Sequence, residues 1–249
     1  MLSFILFACS TQPLVEGTVQ DIWNKPIEGA QVLMENVEQP NITNSSGFFS
    51  FPIIDGKNMR FRATKEGFVP AVGEVSAIPK EGAKIQLSMY PTVESNGFWL
   101  VDTDKYTPLS PSGVEKKGAE NKYILGVYDV GSVSINQPRP SFVFRSTLRK
   151  EQLAQIDLEI HKLIFVDSTK FNSLTGLQDV EIDLWVPETQ AKFVIKDLGA
   201  QDHFLIEISN PLPQGVYAFH SHSILNPQKN VDTSYLPKEL MKVFPFEIK

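Results

Sequence analysis

The sequence predicts an all-β protein made of two β-sandwich domains, and three observations carry that expectation. Short apolar runs alternate with polar residues at period two from Leu14 onward. The 15 glycines and 17 prolines punctuate those runs at short intervals. Aromatic residues are plentiful and 17 of them are Phe, a type that packs well on pleated surfaces.

In the first domain, residues 14–91, 15–19 alternate as a strand and 21–26 form a turn broken by Asn24 and Pro26. A second strand covers 29–34. Residues 41–47, rich in Asn, Ser, Thr and Gly, turn the chain into a third strand at 48–51. Residues 59–64 alternate again, Glu66-Gly67 turns, and 85–89 closes the domain. Ala30, Val32, Phe49 and Phe51 fall on one face by period two and are its expected core. Gly17 and Gly29 suit places where backbone bends or approaches closely. Four pieces in order, Gly17-Thr18-Val19 with Asp21, Pro26-Ile27-Glu28-Gly29-Ala30-Gln31-Val32, Thr43-Asn44-Ser45-Ser46-Gly47-Phe48-Phe49 and Lys65-Glu66-Gly67-Phe68, resemble a carboxypeptidase regulatory-like domain of prealbumin-like topology. Asn44 stands where that family often has Asp, and either side chain closes an Asx-type turn. The resemblance implies an accessory module without an active site.

Residues 92–122 are dense in Pro, Gly and Ser and read as a linker or loops around a short strand at 98–101, with the domain boundary near Thr92. The second domain, 123–249, has candidate strands at 123–128, 141–144, 158–166, 180–186, 192–195, 203–208 and 215–220, and a last edge strand at 244–248 that tolerates Pro245. A helix over 146–157, capped by Ser146 or Thr147, would bury Leu148, Leu153 and Ile156. Residues 237–242 suit another helical turn. Gly215, two residues before Tyr217, resembles the tyrosine corner of immunoglobulin-like sandwiches, and the second domain is expected to be one.

Residues 2–8 are apolar and stop at Ala8 before Cys9, so 1–13 reads as a truncated signal and tether. Leu6-Phe7-Ala8-Cys9 resembles the lipobox of bacterial lipoproteins. That resemblance implies lipidation of Cys9 and a partnership with the membrane, at the outer membrane or cell surface. Several acyl chains on one residue give stable anchoring. Cys9 is the sole cysteine, which excludes intrachain disulfides and a thiolate-built zinc site. No later stretch approaches the roughly 20 apolar residues of a membrane span.

The formal charge is -6 with no basic stripe, so nothing favours nucleic acid as a partner. No nucleophile elbow, phosphate loop or zinc-protease signature appears, so no catalytic residue and no cofactor is assigned. Glu181 and Asp183 alternate with Ile182 and Leu184 and read as the wet face of a strand. The expected function is a non-enzymatic binding or scaffold module with a protein or glycan partner in the envelope. Exposed aromatics such as Trp99 and Trp185 would suit sugar stacking. The sharpest chemical candidate is His220-Ser221-His222, since residues two apart on a strand share a face and paired imidazoles suit zinc or copper. His203, or Asp202 beside it, is the candidate third ligand. Residues 215–223 also resemble a copper-binding strand of multicopper oxidases. Only His161 and His203 remain beyond the pair, too few for a full oxidase centre. The plainer alternative leaves His220 and His222 as solvated side chains while Tyr217 and Phe219 face the core.

Overall fold

The computed structural model describes residues 13–53, 58–76, 82–119, 122–131, 133–153, 155–177, 180–200, 202–225 and 236–249. Cys9 and the lipobox lie outside these residues. The chain divides into two compact units, Met1–Thr92 and Val93–Lys249. Each is an all-β sandwich. Among the described residues no helix is long and apolar enough to cross a membrane.

The first unit has strands β1 (Leu14–Asp21), β2 (Gln31–Met34), β3 (Asn41–Ile42), β4 (Phe48–Pro52), β5 (Met59–Thr64), β6 (Ala71–Val75) and β7 (Ala83–Met89). They form a three-stranded sheet, β4-β1-β7, and a four-stranded sheet, β3-β2-β5-β6. Pairing is antiparallel except between β1 and β7. Alternation puts Val15, Val19, Val32, Met34, Phe49, Phe51, Phe61 and Leu87 into one core. The rings of Phe49, Phe51 and Phe61 pack with centroids 5.7–6.1 Å apart.

The turns follow from side-chain chemistry. Asp21 Oδ1 accepts from the backbone N–H of Trp23 at 2.8 Å and Lys25 at 2.9 Å. Asn44 Oδ1 accepts from the N–H of Ser46 and Phe48, both at 3.0 Å, closing the expected Asx turn. That turn ends on Gly47 at φ +73, where a Cβ would stand 2.3 Å from Val19 O. Gly17 lets β1 lie against the Phe49 ring, since a Cβ there would meet Cζ at 2.2 Å.

Thr43, 3% exposed, ties the end of β3 to the 27–30 stretch. Its Oγ1 donates to Ile27 O at 2.6 Å and accepts from Ala30 N–H at 2.8 Å. Thr43→Val keeps the shape and leaves both backbone groups unpaired. The expected loss is about 2 kcal/mol in urea unfolding of the first unit, with Thr43→Ser restoring most of it.

The second unit contains β8 (Gly97–Val101), β9 (Tyr106–Pro108), β10 (Glu115–Ala119), β11 (Lys122–Gly126), β12 (Ser134–Ile135), β13 (Ser141–Arg145), β14 (Leu158–Asp167), β15 (Asp183–Ala191), β16 (Phe193–Ala200), β17 (His203–Ile208), β18 (Gly215–Ser221) and β19 (Phe244–Ile248). Among the described residues three short helices intervene, α1 (Lys150–Leu153), α2 (Ser168–Thr175) and α3 (His222–Leu225), with a 3₁₀ turn at Lys238–Met241. The sheets are β16-β17-β13-β8-β9 and β12-β19-β18-β14-β15, with β10-β11 as a separate hairpin. The inner faces of the two five-stranded sheets share one core that includes Phe98, Phe142, Phe144, Phe204, Phe219 and Phe246.

Residues 92–122 are therefore not a linker. β8 pairs with β13 through Phe142↔Leu100 and Phe144↔Phe98, and Phe98 is fully buried. The short strand expected at 98–101 forms as β8; the turn residues on both sides hid its pairing with a partner far along the chain. The helix expected over 146–157 contracts to α1, and Asp157 at φ +45 breaks its continuation. Leu153 and Ile156 are buried as expected. The turn at 237–242 forms as the 3₁₀ segment behind Pro237. β19 carries Pro245 and sits one place in from the edge, flanked by the two-residue β12. Tyr217 makes the corner bond: its hydroxyl donates to Pro213 O at 2.9 Å while the ring packs on Phe246.

Candidate metal centre

β14 and β18 are antiparallel neighbours, with Glu159 opposite His220 and His161 opposite Ala218. Ile160 and Phe219, both fully buried, point into the main core. Alternation then sends Glu159, His161 and His220 to the other face. That face is not wet. Leu163, Ala218, Leu225, Val127 and Val243 build a second apolar cluster in this part of the unit. His220 is accordingly 2% exposed, so the expectation of a solvated side chain fails for it.

The small side chain of Ala218 opposite His161 leaves room for the two imidazoles to lie together. Their centroids are 5.0 Å apart at an interplanar angle of 25°. His161 Nδ1 lies 2.9 Å from His220 Nε2. His220 Nδ1 lies 2.9 Å from Ser221 O, which can only accept. His220 Nδ1 therefore carries the proton, its Nε2 keeps a lone pair, and His161 Nδ1 donates to it. Glu159 Oε2 stands 3.7 Å from His161 Nδ1. The other oxygen, Oε1, accepts from His222 Nδ1 at 2.9 Å and Gln190 Nε2 at 3.4 Å. One donor atom from each of Glu159, His161 and His220 falls within 4.8 Å of the others.

Burial pushes His220 down to about 4, with the neighbouring imidazoles of His161 and His222 adding to the shift against the Ser221 bond. Burial also lowers His161, against the opposing pull of the Glu159 carboxylate. Both rings are neutral at pH 7, the form that ligates metals, and His161 would ligate through Nδ1 with its proton moved to Nε2. Two imidazoles and one carboxylate are a borderline donor set that suits zinc or copper(II). Tetrahedral ligands at ordinary zinc distances stand roughly 3.3 Å apart, so the two nitrogens need to open by only a few tenths of an ångström. The bond from His220 Nδ1 to a backbone carbonyl is the outer contact that fixes a ligating tautomer.

The sequence-level ligand set changes in two places. His203 lies on β17, in the opposite sheet, and both its ring nitrogens are engaged. Nδ1 donates to Asp202 Oδ1 at 2.7 Å, and Nε2 accepts from Val93 N–H at 3.2 Å. Asp202 also accepts from Arg145 Nε at 3.1 Å, and Arg145 Nη1 donates to Val93 O and Glu94 O. His203 and Asp202 thus fasten the start of the second unit and do not join the cluster. His222 is not a strand residue either. The chain turns into α3 there, with His222 N–H bonded to Asp157 O, and the side chain reaches Glu159. Glu159 and His161 were missed as partners of His220. Their one sequence signal was alternation with Leu158 and Ile160.

The tryptophans occupy different settings. Trp99 is half-buried, donates from Nε1 to Ser95 O at 3.1 Å, and lines a cavity of about 310 Å³ with Pro108, Ser110 and Pro111. Trp185 is half-buried, packs on Phe165 at 5.5 Å and joins the apolar cluster beside the histidines.

No family model matches the chain, and no curated protein matches it. Among solved structures, the chain is similar to BcpA, the major pilin subunit of Bacillus cereus, at 11% identity and a TM-score of 0.26. That match covers 85% of this chain and 65% of the pilin, so the chain spans less than two thirds of the pilin's length. A single-residue variant of the same pilin matches at 11% identity and a TM-score of 0.26, covering 95% of this chain and 67% of the other.

Proposed function

We propose that this chain is a non-enzymatic binding protein of the bacterial envelope that takes a divalent transition metal on the second sandwich. The observation that supports this most is the buried His220 imidazole, whose Nδ1 bond to Ser221 O leaves its Nε2 as an acceptor facing His161 Nδ1 at 2.9 Å. Burying two imidazoles and a carboxylate in contact carries a desolvation cost that a bound ion offsets. The first sandwich serves as an accessory module of the regulatory-like kind, and lipidated Cys9 supplies the tether to the membrane.

Calorimetric titration with zinc and copper(II) tests the metal. The wild-type chain is expected to bind one ion with micromolar or tighter affinity. His161→Ala and His220→Ala are each expected to weaken it by roughly 100-fold or more, above the loss typical of outer contacts. Wild-type binding weaker than micromolar removes the reading. The tether is tested separately by fractionating cells that express the chain with Cys9 or Cys9→Ser. Membrane association of the first form alone is expected, and equal solubility of both sinks the lipid anchor. A second reading, glycan binding, draws on the cavity beside Trp99. A glycan array with Trp99→Ala as control checks it.

A further inference from the structure

We propose that the metal is held by Glu159, His161 and His220 alone, that His222 positions Glu159 without ligating, and that the fourth coordination place takes a small anion. This rests on the metal-binding reading above.

The carboxylate of Glu159 divides its two oxygens. Oε1 is taken by His222 Nδ1 at 2.9 Å, with Gln190 Nε2 at 3.4 Å. Oε2 is left on the side of His161. A hydrogen bond that fixes one carboxylate oxygen and presents the other is the usual outer support of a metal ligand. His222 thus spends its Nδ1 on the ligand, and the three-donor set closes without it.

Burial is graded across the cluster. His220 is 2% exposed and forms the floor, while the side chains of His161 and Glu159 keep 17% and 16% exposure. An ion seated among them keeps its remaining direction toward the exposed side. Sites with three protein ligands hold water or an outside ligand in the fourth place, whereas closed four-ligand sites do not. Charge selects the class of that ligand. A divalent ion with two neutral imidazoles and one carboxylate retains a single positive charge, which favours a small monodentate anion over a neutral donor.

Cobalt(II) as a visible probe, titrated with azide, tests this on the full chain. The wild type is expected to show ligand-field bands on cobalt addition and a saturable shift of those bands with azide. His222→Ala is expected to lower cobalt affinity by about 10–100-fold. His222→Asn, whose amide N–H stands where Nδ1–H does, is expected to restore affinity and keep the azide response. Bands that ignore azide overturn the open position. Loss of the wild-type bands in His222→Asn, to the same extent as in His222→Ala, makes His222 a ligand and overturns its positioning role. Absence of cobalt bands in the wild type instead defeats the underlying metal reading, and this inference with it.

Discussion

Phe98→Ala is expected to lower the unfolding free energy of the second unit by about 4 kcal/mol, the range for removing a fully buried phenylalanine. Its ring stacks at 4.4 Å on Phe144 of its own sheet and at 4.4 Å on Phe219 of the facing sheet. It also meets Phe244 at 4.8 Å. Truncation therefore opens a cavity at the centre of the sandwich and forfeits several aromatic contacts at once. Urea unfolding followed by tryptophan fluorescence reads the effect, since Trp99 and Trp185 lie in this unit. A change below about 1 kcal/mol would return residues 92–122 to the status of a linker, because a linker phenylalanine is near neutral to truncate.

Acid should weaken the same unit through His220. The folded chain holds this imidazole neutral down to about 4 because the ring is buried. The unfolded chain takes up the proton near 6.5. Between those values the unfolded state binds more protons, so stability falls as pH falls. The contribution is fully present above pH 6.5 and is lost on descending to pH 4, a total of about 3 kcal/mol. His161, lowered by burial, adds in the same direction. Unfolding free energies of wild type and His220→Gln at pH values from 7 to 4 check this. The two curves should converge as pH falls, and parallel curves would contradict a buried neutral imidazole.

Strand content was legible because the chain alternates wherever one face of a sheet is buried. β5 reads Met59-Arg60-Phe61-Arg62-Ala63, and its apolar members are the buried ones. The Tyr217 corner and the Asn44 turn were legible for a local reason, since each is closed by a side chain bonding backbone within four residues. The strand at 98–101 was legible, but its place in the core was obscured because that place is conferred by β13 and not by its own flanks. Helix α2 was overlooked although its ends are marked. Asp167 caps it by accepting from Lys170 N–H at 2.7 Å, and Gly176 ends it at φ 68.

The candidate site divides along the same line. His220 stood out because of its neighbour His222, yet the pairing that matters joins it to His161 across 59 residues. Strand adjacency of that kind has no local signature. The rule that residues two apart share a face assumed a strand through His222, and the chain leaves the sheet at Ser221. His203 was drawn in by scarcity of histidines, whereas its nitrogens are fully used by Asp202 and Val93.

The most direct measurement is anomalous diffraction at the zinc edge from crystals of the protein grown with zinc. The account predicts a peak roughly 2 Å from His220 Nε2, His161 Nδ1 and one Glu159 oxygen, with His222 bonded to the other oxygen. A zinc-loaded crystal with no peak at these three atoms, or with its principal peak at His203 or at surface carboxylates, would contradict it.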